Sequence, residues 1–379
     1  MTSDCTFEQG PIRPPSEASS LLLRVNRNCP WNRCTFCSIY KKTKFSLRPV
    51  EDVIREIDTV HQFVGALSSD GPQGGVLKNL SPDGEQAFYA ARNWLACGMK
   101  SIFLQDADCL TIRPENLLKI LRHIKDRFPQ VQRITCYARS ESVARIDDAS
   151  LREIAAAGLN RIHIGMETAS DTVLTLVRKG VTKETHVTAG RKVKGAGIEL
   201  SEYFLIGLGG REFSQEHALE SADALNRIDP DFIRFRTLHL PDKVHLFAGS
   251  EEGAKYQRAP DLTLAREIHT LIRNLDGITS CVKSDHSYNL FQEIDGTLPA
   301  DKDRLLEVLQ SFIDMEPEQR MLFQVGKRSG HFLHLSDMEN RGRLEQVADT
   351  CRKSGINGAN VDEQLHEIIQ DRMRRGMSF

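Results

Sequence analysis

Apolar and polar positions along residues 19–240 follow a repeating order of short apolar runs and longer amphipathic segments. A short, mostly apolar run is typical of a buried strand, whereas apolar residues at every third or fourth position are typical of a helix. The runs predict six strands, at 21–25, 101–105, 133–137, 161–164, 199–205 and 232–235. The amphipathic segments predict helices at 48–64, 85–97, 114–128, 148–157, 170–194 (broken near Gly180) and 214–228.

Strands that alternate with helices predict a parallel sheet covered by helices, so the expected fold class is α/β. Six strands are fewer than the eight of a closed barrel of about 250 residues. In parallel α/β barrels the ligand site lies at the C-terminal ends of the strands. Polar residues at the predicted strand ends are therefore the first candidates for chemistry.

The two flanks of this region differ from it in pattern. Residues 1–18 are polar and contain three prolines, which predicts a loosely ordered N-terminal tail. Residues 241–379 show helical periodicity with little strand signal, which predicts a C-terminal helical region packed over the barrel and shaping its pocket. The predicted helices of this region are at 262–275, 302–314, 317–325, 337–353 and 361–375.

Composition narrows the class of protein. The chain has 379 residues, of which 40% are hydrophobic and 27% charged, as expected for a globular protein with a sizeable core. It has no apolar run of membrane-spanning length and no signal-peptide pattern at its start, so we expect a cytoplasmic location and no membrane contact. A formal net charge of −2 gives no electrostatic footprint for nucleic acid, which is a disfavoured partner.

Three cysteines fall within nine positions directly after the first predicted strand, at Cys29, Cys34 and Cys37. Three thiolates do not complete a tetrahedral structural zinc site, which needs four ligands. They are able to hold three corners of a four-iron cluster and leave the fourth iron open to a small molecule. The other cysteines are scattered singly, so they do not form a disulfide framework.

The spacing Cys29-x4-Cys34-x2-Cys37, with Phe36 before the last cysteine, resembles the cluster motif of radical SAM enzymes. That family usually has three residues in the first gap, where this chain has four. The segments FLQDADCL (103–110) and RIHIGMETASD (161–171) are similar to the family's motifs after the second and fourth strands. The resemblance covers residues 19–240 and is best to the branch with the Elongator catalytic subunit, methylthiotransferases and oxygen-independent coproporphyrinogen dehydrogenase.

The resemblance implies a partial (β/α)6 TIM-like barrel in residues 19–240, a [4Fe-4S] cluster and S-adenosylmethionine. It implies that the cluster reductively cleaves S-adenosylmethionine to a 5′-deoxyadenosyl radical, which abstracts hydrogen from a small-molecule or peptide-like substrate. A one-electron donor such as flavodoxin or ferredoxin is the implied partner. No further cysteine cluster of the kind that methylthiotransferases carry is present, which favours a single-cluster enzyme.

The resemblance also assigns roles to side chains. The metal ligands are Cys29, Cys34 and Cys37. The expected contacts of S-adenosylmethionine are Phe36, Asp106, Asp108, Arg139, Glu167, Thr168, Ser201, Arg234 and Arg236. Within this set, Asp106, or Asp108 in second place, would receive the methionine amino group, because a carboxylate suits an ammonium group. Arg139 would pair with the methionine carboxylate, Phe36 would face adenine, and Glu167 with Thr168 would contact ribose and methionine.

Catalytic residues are not identified by any motif, and Asp285, His286 and Tyr288 in the polar segment 284–289 are the candidates. A structural turn explains that segment equally well. Structural ion pairs are the alternative explanation for the three arginines. A helix cap or a surface carboxylate is the alternative explanation for Glu167. An RNA-modifying or porphyrin-modifying radical SAM enzyme is the alternative function. A non-catalytic iron–sulfur or zinc protein with a binding or regulatory role is the alternative from another class.

Overall fold

The computed structural model describes residues 7–68, 80–241, 244, 246–247 and 255–375. Its strands are β1 (Leu21–Arg24), β2 (Asn26–Arg27), β3 (Ser46–Leu47), β4 (Ser101–Gln105), β5 (Arg133–Ala138), β6 (Leu159–Glu167), β7 (Glu199–Ile206), β8 (Phe232–Thr237), β9 (Cys281–Lys283) and β10 (Gly296–Thr297). All six predicted strands are confirmed, as β1 and β4 to β8.

The helices confirm the amphipathic pattern, with ends that differ from the predictions by a few residues. They are α1 (Val50–Ser68), α2 (Pro82–Ala96), α3 (Pro114–Arg127), α4 (Ser140–Arg145), α5 (Asp148–Ala156), α6 (Asp171–Leu176), α7 (Lys183–Gly195), α8 (Ser214–Ile228), α9 (Asp261–Asn274), α10 (Lys302–Ile313), α11 (Pro317–Ser329), α12 (Arg341–Ser354) and α13 (Val361–Arg374). Within the described ranges, no helix is both long and apolar enough to cross a membrane.

Eight of the strands form one sheet in the order β1-β4-β5-β6-β7-β8-β9-β10. Strand β4 pairs in parallel with β1 and β5, β5 pairs in parallel with β6, and β8 pairs in parallel with β9. Only the β9–β10 pair of this sheet is recorded as antiparallel among the described residues. A mostly parallel sheet with helices between its strands confirms the predicted α/β fold of the partial TIM-like type.

The chain divides into two compact units. Unit 1 comprises Met1–Asn32, Cys37–Gly165 and Thr188–Ser201, and unit 2 comprises Arg33–Phe36, Met166–Val187 and Glu202–Phe379. The cysteine-bearing stretch therefore contributes residues to both units. Each unit is described by itself below.

The core of unit 1 forms where the apolar strands meet their helices. Every residue of β4 is buried, and Trp94 of α2 donates its indole N–H to the Ser101 carbonyl at 2.8 Å. The Trp94 ring packs edge-on against Phe128, with ring centroids 4.9 Å apart. Burial of each such side chain stabilises the fold by about 1.5–3 kcal/mol. This packing fixes the N-terminal end of β4, the strand whose C-terminal end leads to Gln105 and Asp106.

The prediction of a loose tail is wrong for residues 7–18 of the N-terminal segment. Phe7 is 2% exposed, and Glu17 in a short 3-10 turn is fully buried. The side chain of Gln105 accepts a hydrogen bond from the Gly10 N–H at 2.8 Å and donates to the Ile12 carbonyl at 2.9 Å. Composition does not reveal these contacts, because the partners lie more than ninety positions apart along the chain.

Unit 2 contains the C-terminal helices and a strand that the pattern did not predict. Strand β9 has three residues, too few for any periodicity to be visible, and it continues the sheet next to β8. Behind it, Phe291, Phe312, Phe323 and Phe332 pack ring against ring, with centroids 5.0 to 6.4 Å apart. Gly326 of α11 lies against this group, since a Cβ placed on it would come within 2.1 Å of the Phe332 ring.

We expect Gly326→Ala to destabilise the protein, because the added methyl group must displace the fully buried Phe332 ring. Overpacking of this kind costs about 1–3 kcal/mol. Gly342→Ala is the matched control, since its added methyl in exposed α12 would meet nothing closer than 3.5 Å. Thermal unfolding should show a lower midpoint for the first variant and an unchanged or slightly higher one for the second. Equal midpoints would contradict the packing described for α11.

Candidate functional site

The cysteine segment (residues 28–40) has little regular structure and follows the β1–β2 stretch. Cys29, Cys34 and Cys37 do not form disulfide bonds, and each is partly exposed. The Asn32 backbone N–H points toward the Cys29 sulfur at 3.4 Å. Asn28 and Asn32 have positive φ angles of 69° and 45°, a conformation that asparagine tolerates better than most residues. The segment therefore turns sharply on either side of its first cysteine.

One buried carboxylate binds both ends of this segment. Asp106, at the end of β4, is fully buried, and its Oδ2 accepts from the Asn28 N–H at 3.0 Å. Its Oδ1 accepts from the Tyr40 hydroxyl. Arg24 neutralises the carboxylate by donating to Oδ2 from Nη2 at 2.8 Å and from Nε at 3.1 Å. We call this arrangement the Asp106 clasp: Asp106, Arg24, Asn28 and Tyr40.

Further bonds close the segment on itself. The Asn32 side chain donates to the Tyr40 carbonyl at 2.6 Å, and the Asn28 side chain donates to the Lys44 carbonyl at 2.6 Å. Burial raises the pKa of the Tyr40 hydroxyl, and the Asp106 charge raises it further, with smaller contributions from Cys37 and Cys29. The hydroxyl thus stays protonated and keeps its role as a donor.

Asp108 and Arg139 occupy the neighbouring strand ends of unit 1. Asp108 is fully buried and accepts from the Ser142 hydroxyl at 2.6 Å. Burial raises the pKa of Asp108 to about 6, although Ser142 and Arg139 act in the opposite direction. The Arg139 guanidinium lies 5.2 Å from the centroid of Trp31, a ring within the cysteine segment. Within unit 1, Asp106 and Arg139 therefore each contact the cysteine segment, at Asn28 and Trp31 respectively.

The chemistry of the donors fits an iron–sulfur cluster. Three soft thiols on one short segment are a suitable donor set for iron–sulfur or zinc. Within the described part of the chain, no three Cys, His, Asp or Glu side chains are already gathered as a metal site. The Asp106 clasp and the Asn32 N–H supply the supporting hydrogen bonds around ligands that such sites need.

Glu167 of unit 2 lies at the end of β6 in a left-handed conformation, with φ of 64°. Its Oε1 is 3.4 Å from the Lys179 ammonium, which lies 5.6 Å from the centroid of Phe36. Glu202 of β7 is fully buried. Burial raises the pKa of Glu202 well above its usual range, the Lys179 charge lowers it, and the Glu167 charge raises it. Glu202 is therefore a neutral carboxylic acid near an ionised pair.

Thr168 and Ser201 are both fully buried but differ in their partners. The Thr168 hydroxyl is 2.7 Å from His217 Nδ1 and accepts from the Ser170 N–H at 3.1 Å. Burial lowers the pKa of His217 to about 3, so its ring is neutral. Among described residues, the Ser201 hydroxyl has no hydrogen-bond partner. Thr168 thus has its hydrogen-bonding groups occupied by protein contacts, whereas the buried Ser201 hydroxyl has no such contact among described residues.

The segment after β9 lies against the end of β8. Arg234 donates to Oδ2 of Asp285, and Arg236 Nη1 is 3.7 Å from Oδ1 of the same carboxylate. Burial lowers the pKa of His286 to about 4, and the Arg236 charge adds to this effect. Tyr288 lies beside them, with its ring centroid 5.8 Å from that of His286. Residues predicted separately as cofactor-binding and catalytic therefore meet in one group.

The sequence prediction missed several residues of these groups. Tyr40 and Arg24 of the clasp and Lys179 are the main omissions. Arg24 and Tyr40 belong to no motif. Their only signal in the sequence is that they lie close to the three cysteines. Glu202 carries a visible signal, because a carboxylate in the otherwise apolar run 199–206 conflicts with a strand buried at seven of its eight positions.

Part of the chain is similar to proteins of known families. Residues 83–223 match the Radical SAM superfamily. The curated relative 4′-phospho-dehydrooxetanocin synthase of Priestia megaterium is 28% identical over 226 residues, covering 55% of this chain and 26% of that protein. The chain thus spans about a quarter of the length of that relative.

Solved structures with similar folds share little sequence with the chain. The methyltransferase TsrM of Kitasatospora setae with cobalamin and a [4Fe-4S] cluster has 16% identity and a TM-score of 0.45, covering 88% of this chain and 61% of that chain. Coproporphyrinogen III oxidase (HemN) of Escherichia coli has 14% identity and a TM-score of 0.44, covering 68% and 52%.

The family match covers the predicted second to fifth strands and begins after the cysteine segment. It confirms the resemblance that the cysteine spacing and the two strand-end motifs indicated. Residues 83–223 of the chain are thus similar to the radical SAM superfamily.

Proposed function

We propose that the chain is a single-cluster radical SAM enzyme acting on a small-molecule or short peptide-like substrate. The observation that carries this proposal is the Asp106 clasp, in which one buried carboxylate binds both ends of a segment with three cysteines that form no disulfide bond. A segment held at both ends loses less conformational entropy when its thiols bind one cluster. Cys29, Cys34 and Cys37 are the residues that would hold a [4Fe-4S] cluster.

In members of the superfamily, a [4Fe-4S] cluster and S-adenosylmethionine together supply a 5′-deoxyadenosyl radical that removes hydrogen from the substrate. The residues of this chain bind and orient. Arg139 has the planar guanidinium that suits the methionine carboxylate. Glu167 is partly exposed and Ser201 has a free hydroxyl among described residues, so both are able to accept a ligand. A one-electron donor such as flavodoxin or ferredoxin is the external partner in this proposal.

Asp106 and Thr168 have less freedom to contact S-adenosylmethionine than the sequence suggests. Four protein donors already surround the Asp106 carboxylate. The Thr168 hydroxyl already forms hydrogen bonds with His217 and with the Ser170 N–H. We infer that Asp106 acts on the cofactor by positioning the cysteine segment, and that Thr168 acts by fixing the backbone after Glu167.

Anaerobic reconstitution with iron and sulfide, followed by dithionite and S-adenosylmethionine, should yield 5′-deoxyadenosine, measured by mass spectrometry. Cys34→Ala should bind fewer irons and form none of this product, because a thiol ligand is lost. Cys97→Ala is the matched control, since Cys97 is an exposed free thiol outside the segment. A full four-iron cluster in Cys34→Ala would contradict the ligand assignment. Metal binding without any cleavage would favour the non-catalytic alternative, and salt-sensitive binding of transfer RNA would favour the RNA-modifying one.

Asp106→Asn should loosen the cysteine segment, because hydrogen bonds to a charged group contribute about 1.5–3 kcal/mol each. In the cluster-free protein, Cys29 and Cys37 should react with a thiol reagent about tenfold faster, the factor for a loss of about 1.4 kcal/mol. Labelled peptides measured by mass spectrometry report each cysteine separately, and the reconstituted variant should lose iron to a chelator faster. Asp58→Asn is the control, because Asp58 pairs with Arg127 in a partly exposed ion pair. Equal labelling of both variants would contradict the clasp.

Glu167→Gln should leave the iron content intact and weaken S-adenosylmethionine binding about tenfold, as expected when a charge-assisted hydrogen bond becomes neutral. Equilibrium dialysis against labelled S-adenosylmethionine measures the dissociation constant. Glu220→Gln, which removes a half-exposed partner of Lys183, is the control. If both variants bind as the wild type does, the role of Glu167 is limited to its ion pair with Lys179.

A further inference from the structure

The group at the ends of β8 and β9 carries a surplus of positive charge. Arg234 is 4% exposed, and Arg236 is mostly buried. Among the described residues, Asp285 is the one carboxylate that forms an ion pair with Arg234 or Arg236. Two permanent cations against one anion leave one positive charge unbalanced.

The neighbouring side chains do not supply the missing negative charge. The pKa of Tyr203 is raised by burial, and the charges of Arg236 and Arg234 do not reverse this, so the hydroxyl stays neutral. The pKa of His286 is lowered to about 4, so its ring is neutral near pH 7. Lys283, on the adjacent strand, adds another cation that is paired with Asp295. The group therefore keeps its net positive charge near neutral pH.

The guanidinium groups also have hydrogen-bond donors to spare. Among described residues, Nε of Arg234 and Nη1 of Arg236 are buried and have no hydrogen-bond partner. Burial of an unbalanced charge is costly, and an unpaired buried donor adds to that cost. The Asp285 side chain is 30% exposed and that of Arg236 is 17% exposed, so solvent and solutes reach this group.

Position in the fold agrees with a ligand site. Arg234 and Arg236 lie toward the C-terminal end of β8, and Asp285 follows the C-terminal end of the parallel strand β9. These ends are where α/β folds of the TIM type bind their ligands. Asn289 fixes the segment after β9 in place, since it donates to the Phe235 carbonyl at 2.9 Å and accepts from the Thr237 hydroxyl at 3.0 Å.

We propose that Arg234 and Arg236 bind an anionic oxygen group, a phosphate or a carboxylate, of the substrate, which competes with Asp285 for the two guanidinium groups. The statement that the anion belongs to a substrate rests on the proposed function, whereas the anion site itself does not. Arginine suits this task because its planar fork of donors matches the oxygens of carboxylates and phosphates.

The test uses the full chain without a cluster and two probes, inorganic phosphate and acetate, titrated by calorimetry at constant ionic strength set with chloride. Wild-type protein should bind at least one probe, and the tighter one gives the chemistry of the anionic group. Arg236→Gln should weaken that binding about tenfold, as expected for one charge-assisted contact. Arg227→Gln should leave it unchanged, because Arg227 of α8 forms an ion pair with Glu184 of α7 and lies outside the group.

Asp285→Asn should change anion binding in the opposite direction, so it distinguishes a local effect from misfolding. Removal of the competing carboxylate should strengthen anion binding several-fold, a result that a disrupted fold does not produce. Absence of binding of both probes to the wild type, or weaker binding in Asp285→Asn, would overturn the proposal. Displacement of the probe by S-adenosylmethionine would also overturn it, because the site would then belong to the carboxylate of that molecule.

The failure of this site and the failure of the proposed function give different results. Anion binding that depends on Arg236 in a chain that never forms 5′-deoxyadenosine would leave the anion site intact and refute the enzyme. Formation of 5′-deoxyadenosine by a chain that binds neither probe would support the enzyme and refute the anion site.

Discussion

The carboxylate of Asp106 is the constraint on which the candidate cluster site depends. It is buried at the end of a strand whose five residues are all buried, so its position is set by the core of unit 1. Burial of a carboxylate is tolerated when a guanidinium and other donors surround it, and Arg24, Asn28 and Tyr40 do so here. Because two of these partners flank the cysteine segment, the order of the core is passed directly to the candidate ligands.

The N-terminal segment contributes to this constraint. Gly10 approaches Asp106 so closely that a Cβ on it would lie 3.2 Å from the Asp106 Oδ2. The side chain of Gln105, the residue before Asp106, holds Gly10 in this place. A residue with a side chain at position 10 would press on the carboxylate. The first described residues therefore help to exclude water from the clasp.

Buried charge is balanced in the Asp106–Arg24 and Glu56–Arg48 pairs of unit 1 but not at Arg234 and Arg236 of unit 2. In unit 1, Asp106 is matched by Arg24, and the fully buried side chain of Glu56 is matched by that of Arg48. In unit 2, two arginines share one carboxylate, and Glu202 is held as a neutral acid. Balanced pairs suit a scaffold, whereas unbalanced groups are typical of places where a ligand completes the charge. This difference favours a supporting role for the Asp106 clasp and a ligand-binding role for Arg234 and Arg236.

The sequence predicted those features that depend on local pattern. Strand β4 and helix α8 lie at the predicted residues, because an apolar run and a helical period are visible without knowledge of distant partners. It did not predict β9, which has three residues and is defined by its pairing with β8. Nor did it predict that Asp106 is enclosed, since its partners Arg24 and Tyr40 lie 82 and 66 positions away. Contacts at such separation leave no periodic signal in a single sequence.

The extra residue in the first gap of the cysteine motif has a structural explanation in this segment. Asn32 lies within that gap, takes a positive φ of 45°, and directs its N–H toward the Cys29 sulfur at 3.4 Å. Its side chain returns to the Tyr40 carbonyl, on the far side of Cys37, at 2.6 Å. A left-handed residue reverses the chain, so the longer gap contains a turn. Asn32 stabilises this turn through its backbone N–H and its side chain.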